Sequence, residues 1–259
     1  PLAEAPNPAL EEKTDVGMLP KISTQGVRPW RYYAKPFDAP ADKPLIAVVV
    51  TGLGLGRMTS ESAISLPPAF TLSFSPYARE AGLWADNARD GGHEILLDLP
   101  VQAEDYPAID PGPYGLLKEL TSADNKQRLH WIISRFSGYT AVIAPADAIS
   151  APSIDALHTE IAQRGLLYVD FNPMPSDSAK KASLPELQVT HIIDDSLTKK
   201  AISEKLEALE KEATEKGVAI GVAKAYPITI EQLKKWEATL KEKGIALAPI
   251  SALAKRKYD

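Results

Sequence analysis

Cysteine is missing from all 259 residues of the sequence. That excludes disulfides, thiolate metal sites and a cysteine nucleophile, and it suits an exported chain. Long apolar runs are missing too. Nothing approaches the roughly 18 consecutive apolar residues of a membrane-spanning helix. There is no basic block, and the formal net charge is −5, which argues against nucleic acid as the main partner. The chain opens on Pro1 rather than Met. A removed leader, or an anchor in a missing N-terminal segment, is therefore expected, with a periplasmic or otherwise exported location. What is present is ordinary for a soluble globular protein: 44% hydrophobic and 24% charged residues, enough for one large α/β domain or two small ones.

Residues 1–42 differ from the rest. They hold seven of the 22 prolines and show no sustained periodicity, so a Pro-rich arm or tether is expected there. Within it, "RPWRYYAKPF" (28–37) should dock through Trp30 and at least one of Tyr32 and Tyr33, because clustered aromatics pack. Residues 43–259 read as one domain. Apolar runs at 45–50, 70–75, 94–99, 140–144, 166–170, 189–194, 218–223 and 245–250 predict strands. Amphipathic stretches at 122–136, 196–216 and 229–243 predict helices, the last two stopped by Gly217 and Gly244. Near-continuous apolar strands in a βα rhythm indicate a parallel sheet. Seven or eight units in about 215 residues favour an α/β fold of the distorted (β/α)7–8 barrel class over an open doubly wound sheet. Leu97 and Val49 should face its buried layers. In either architecture the site lies at the C-terminal strand ends.

The first strand ends in "TGLGLGR" (51–57), a glycine-rich stretch between strand and helix. Its spacing is wrong for a dinucleotide loop. In G-x-G-x-x-G the third glycine would fall on Arg57, and Gly56 comes one residue early. No Gly-Lys-Ser or Gly-Lys-Thr follows, so it is no P-loop either.

The ordered set "IAVVVTGLGLG", "LPPAFTLSFSPYA", "GGHEILLDLPVQAEDYP", "DPGPYGLL", "RGLLYVD" and "VAIGVAKAYPITIEQL…KGIALAPISAL" resembles the divergent polysaccharide deacetylase family over about residues 44–253. The resemblance implies a distorted (β/α) barrel and a bacterial envelope location. By analogy with the wider deacetylases, it also implies metal-dependent hydrolysis of a carbohydrate N-acetyl group. Where presumed active relatives read Ile-Asp-Asp-Leu-Gly, supplying a general base and a metal ligand, this chain reads Val50-Thr51-Gly52-Leu53-Gly54. A family histidine position falls on Pro145, another on Asp98, and a Gly-His-Pro pattern becomes Gly221-Val222-Ala223. The glycines of the opening stretch then serve to turn the chain at a barrel rim.

No histidine ends a strand in ligand spacing: His93 precedes a strand, His130 and His158 sit in helices, and His191 lies mid-strand. No metal site and no zinc are therefore expected. Carboxylates gather instead at strand ends: Asp98, Asp147, Asp170, and Asp194 with Asp195. Paired acids can divide general-acid and general-base roles. Each can equally cap a helix or pair with a rim cation. Asp170, which matches a family acid, and Asp98 are the candidate catalytic residues. Thr51, Tyr77, Tyr106, Asp147 and Asp195 are candidate binding residues. The Pro-Gly loop 100–115 follows the third strand, and Tyr77, Tyr106 and Tyr114 could stack on sugar rings.

Three functions remain open. One is a catalytically impaired, metal-free pseudoenzyme that binds a polysaccharide or peptidoglycan-type glycan, or regulates its metabolism, in the envelope. Another is an active glycan hydrolase or deacetylase with a rebuilt carboxylate site. The third is a scaffold that contacts envelope proteins.

Overall fold

The computed structural model describes residues 1–38, 40, 42–144, 151–171 and 174–259, with only the backbone of 151 and 152. Its elements run β1 (Glu11–Thr14), β2 (Gly17–Pro20), α1 (Pro29–Tyr32), β3 (Leu45–Leu53), α2 (Arg57–Ile64), β4 (Thr71–Phe74), α3 (Ala81–Asp90), β5 (Ile95–Asp98), α4 (Ser122–Ile133), β6 (Ala141–Ile143), α5 (Ala151–Gln163), β7 (Leu167–Asp170), α6 (Asp177–Ala182), β8 (Glu186–Gln188), β9 (His191–Ile192), α7 (Lys199–Lys216), β10 (Val218–Lys224), α8 (Pro227–Leu240), β11 (Ala246–Leu247) and α9 (Ile250–Tyr258). From β3 onward strands and helices alternate almost strictly, and the strand pairs described below are parallel. The fold class is α/β.

The chain divides into two compact units. The first comprises Pro1–Leu2, Ala34–Ile95 and Val189–Asp259. Here β3 pairs with β10 along one edge, and with β11 and then β4 along the other. β10 in turn pairs with β9. Leu45 to Val50 are all fully buried, which an aliphatic strand achieves only when both its faces are covered. α7 shows why these helices form where they do. Thr198 accepts a hydrogen bond from the Ala201 N–H at 3.1 Å and so caps the first turn. Ile202, Leu206, Leu209 and Ala213 form the buried stripe. Gly217 then ends the helix at φ +83°, a conformation that costs a glycine nothing.

The second unit comprises Ala3–Tyr33 and Leu96–Gln188. Its strands pair in the order β5–β6–β7–β8, and Leu97 is fully buried. The Thr121 side chain caps α4 through the Asp124 N–H at 3.1 Å, and Leu129, Ile132 and Ile133 face inward.

Two local features differ from expectation. The run 189–194, read as one strand, is a strand only at β9, which pairs with β10; β8 precedes the run and pairs with β7. The N-terminal stretch, read as free of periodicity, contains the antiparallel hairpin β1–β2, paired from Glu11↔Pro20 to Thr14↔Gly17. Leu10, Leu19, Trp30 and Tyr33 are buried there. The Tyr33 hydroxyl accepts the Asn7 N–H at 3.0 Å, and Arg164 pairs with Glu12. Strands of four residues with polar outer positions carry too little pattern to announce themselves.

Candidate functional site

The first strand end comes out as a tight turn. Gly52 and Gly54 have φ of +76° and +89°. A Cβ on Gly54 would meet the Ala78 Cβ at 2.6 Å, so this glycine is required by space as well as by backbone conformation. Thr51 lies level with Lys224 across the β3–β10 pair. Its hydroxyl makes a long hydrogen bond, 3.4 Å, to the Ala223 carbonyl. Neither Thr51 nor Gly52 offers a carboxylate.

In the same unit, Tyr77 is half-buried just beyond β4, its N–H donating to the Ser75 hydroxyl at 3.2 Å. Asp194 and Asp195 have separate partners. Asp194 accepts the Lys224 N–H at 2.8 Å and the Thr229 hydroxyl at 3.0 Å, which ties the end of β10 to α8. Asp195 is exposed and pairs with Lys205 at 2.8 Å. The hydrogen bond from Lys205 holds its carboxyl below the usual range.

The two candidate catalytic acids lie in the second unit. Asp98 ends β5 and Asp170 ends β7, with β6 between them. Two strand spacings separate them, about 10 Å. Asp98 lies level with Ile143, which lies level with Val169. Asp170 is therefore one residue out of step and belongs to the opposite row of the pleat. The sheet does not aim the two carboxylates at one point. Asp98 is half-buried and Asp170 fully buried. Tyr106, in the loop after β5, is half-buried, with its N–H donating to the Ala103 carbonyl at 3.1 Å. Asp147 and Pro145 lie outside the described residues.

The histidines are spent elsewhere. His93 faces the carbonyls of Phe70 at 2.9 Å and Ile64 at 3.1 Å, and burial lowers its pKa. His191 faces Glu212 at 2.9 Å. His130 faces Glu160 at 2.8 Å. His158 is fully buried against the edge of Tyr168, 4.7 Å between ring centres. Among the described residues neither of its ring nitrogens has a hydrogen-bond partner, and burial pushes its pKa down to about 4. Among the described residues, no three His, Asp or Glu side chains converge as a metal ligand set. A zinc site needs three such protein ligands and one open position, so the residues described do not fit that ion.

Two constellations escaped the sequence reading. Glu160 is almost fully buried and is held by Lys126 at 2.7 Å, His130 at 2.8 Å and Arg164 at 2.8 Å. The spacings 126/130 and 160/164 were its only trace. The second is a face-to-face stack of Tyr114, already a sugar-stacking candidate, on Trp131, which was not one, with ring centres 3.7 Å apart and planes within 6°. A tryptophan off the buried stripe of α4 was the available signal.

The model of the divergent polysaccharide deacetylases matches residues 48–254. The chain belongs to that family. A crystal structure of an uncharacterized protein from Agrobacterium tumefaciens C58 superposes with a TM-score of 0.86 at 34% identity, covering 92% of this chain and 99% of that one. A deacetylase solved with its substrate superposes at 0.55 and 13% identity over 86% of this chain and 96% of its own. A mutant CE4 family pseudoenzyme with restored enzymatic activity superposes at 0.50 and 12% over 91% and 75%. These likenesses establish the α/β barrel class of the polysaccharide deacetylases. No curated protein matches the sequence.

Proposed function

We propose that this family member is a glycan-binding or regulatory module of the bacterial envelope that holds no catalytic zinc and does not deacetylate. The observation that carries the reading is the first strand end. Thr51 and a positive-φ Gly52 stand where the family resemblance calls for a base and a ligand. Loss of a general base alone typically costs about 10²–10⁴-fold in rate. Oxygen ligands such as Asp98 would favour hard cations over zinc, and Asp170 lies on the other row of the pleat. Glycan recognition needs neither ion nor base. The chain has no cysteine, and among the described residues no helix is long and apolar enough to cross a membrane; both are compatible with an exported location.

The test is acetate release from N-acetylglucosamine oligomers with added zinc, cobalt or nickel, beside Asp98→Asn and Asp170→Asn. No turnover is expected. Metal-dependent turnover abolished by either substitution would replace this reading with the rebuilt carboxylate site. A scaffold role is favoured by one observation, the exposure of Leu55, Met58 and Leu83 around the turn after β3 and on α3. It would take first place if the protein bound no glycan.

A further inference from the structure

The second unit carries an open groove with a volume of about 740 Å³, within the range of small-molecule sites. Its floor is α4, its wall the loop 113–120, and its far edge Val16 in the turn of the hairpin. Tyr114 is 37% exposed and stands on Trp131, with the Arg135 guanidinium 4.8 Å from the centre of the Trp131 ring. Asp124, Gln127 and Arg128 line the same space.

The wall is fixed in place. Asn125 is fully buried and grips Leu117 twice, accepting its N–H at 3.0 Å and donating to its carbonyl at 2.8 Å. Arg128 donates to the Gly115 carbonyl at 2.6 Å. The Ser134 hydroxyl shares its proton between the Trp131 carbonyl at 2.8 Å and the Val16 carbonyl at 3.2 Å, which brings the hairpin turn to the end of α4. An exposed aromatic ring held in this way loses little freedom on binding, which is what favours affinity.

The lining chemistry selects the ligand. A stacked aromatic accepts a flat, weakly polar face. Gln127 both donates and accepts, Asp124 accepts and Arg128 donates. Among the lining side chains the negative charge of Asp124 and the positive charge of Arg128 balance, so the lining itself selects no charged ligand, although Arg135 stands behind Trp131. A pyranose ring has an apolar face and a rim of hydroxyls that both donate and accept.

We propose that this groove is a subsite for a neutral glycan, in which a sugar ring stacks on Tyr114 while Gln127, Asp124 and Arg128 bond its hydroxyls. The proposal rests on the glycan-binding reading above, and moves recognition from the strand ends to the outer side of α4.

The experiment titrates the protein with N-acetylglucosamine tetramer, cellotetraose, a heparin tetrasaccharide and a Tyr- and Pro-rich peptide. Binding is followed by calorimetry and by NMR shifts of the Gln127 side-chain amide. A neutral tetrasaccharide should bind and shift that amide. Tyr114→Ala should weaken binding at least about tenfold, Tyr114→Phe should retain it, and Gln127→Ala should weaken it less than Tyr114→Ala. Near-ultraviolet dichroism and melting confirm that each variant is folded. Sugar binding that survives Tyr114→Ala but fails in Tyr77→Ala or Tyr106→Ala would overturn the groove and leave the glycan reading standing. Preference for the heparin fragment or the peptide would overturn the neutral-glycan assignment. No sugar binding at all would overturn both.

Discussion

Glu94 in the first unit and Glu160 in the second are both buried, and the two behave in opposite ways. Glu94, in the first unit, is fully buried and accepts the N–H groups of Ser251 at 2.9 Å and Lys35 at 2.8 Å, together with the Ser251 hydroxyl. Among the described residues no cation forms an ion pair with it, and burial raises its pKa against the weaker opposing pull of the Lys255 charge. Glu160, in the second unit, is also desolvated. Hydrogen bonds from Lys126, Arg164 and His130 outweigh that penalty and bring its pKa down to about 2. Removal from water penalises charge in both places, and adjacent cations decide whether the charge survives. Glu94 is thus secured by dipoles and Glu160 by charges.

Substitutions can break or sharpen this contrast. The largest losses should come from the apolar cores, whatever the units do with charge. Ile46 and Leu97 are both fully buried, so Ile46→Ala in the first unit and Leu97→Ala in the second should each cost about 2–5 kcal/mol in denaturant melts. A loss below about 1 kcal/mol at either position would mean that its strand is not central to its unit.

Next comes Glu160→Ala, at about 3 kcal/mol. That is the low end for breaking a buried pair, because Lys126 and His130 reach solvent. The folded pKa of Glu160 is depressed, so its contribution is present above about pH 4.5 and disappears as pH falls toward about 2. A wild-type melt that does not weaken over that interval relative to Glu160→Ala would refute the pairing.

His158 should give a loss of at most about 3 kcal/mol, over a different interval. Its folded pKa of about 4 lies below the usual 6.5. The folded protein keeps it neutral while the unfolded chain protonates. Stability is therefore complete above about pH 6.5 and falls as pH drops to about 4. His158→Phe should remove that slope, and an unchanged slope would assign it to another group.

The smallest effect should be Glu94→Gln, about 1–2 kcal/mol, because one amide hydrogen then opposes a backbone donor. Its sign against pH is the reverse of Glu160. A raised folded pKa stabilises fully below about pH 4.5 and loses that benefit as pH rises through the folded value. If Glu94→Gln cost as much as Glu160→Ala, the contrast between dipoles and charges would fail.

Much of the fold was legible in local pattern. The apolar runs at 45–50, 218–223 and 166–170 correspond to β3, β10 and β7 within a few residues, and Gly217 stops α7 where its spacing suggested. The hairpin β1–β2 was not legible, since its polar short strands depend on neighbours far along the chain, such as Arg164 and Ser137 reaching Glu12 and Glu11. The site was half legible. Thr51 and Gly52 show from sequence alone that the first strand end lacks carboxylates. That Asp98 and Asp170 stand on opposite rows depends on a register shift of one residue, which changes no composition and no periodicity.

The sequence by itself determined the order of elements and their stops, because side-chain periods of 2 and 3.6 and the freedom of glycine are properties of a few consecutive residues. It also determined that no thiol chemistry is open to the chain, because a side chain that is not encoded cannot act. Only the tertiary structure decided in which direction the pKa of each buried acid moves. Glu94 answers to Lys35 and Ser251, and Glu160 to Lys126 and Arg164. Desolvation and Coulomb attraction depend on distance in space, which separation along the chain does not set.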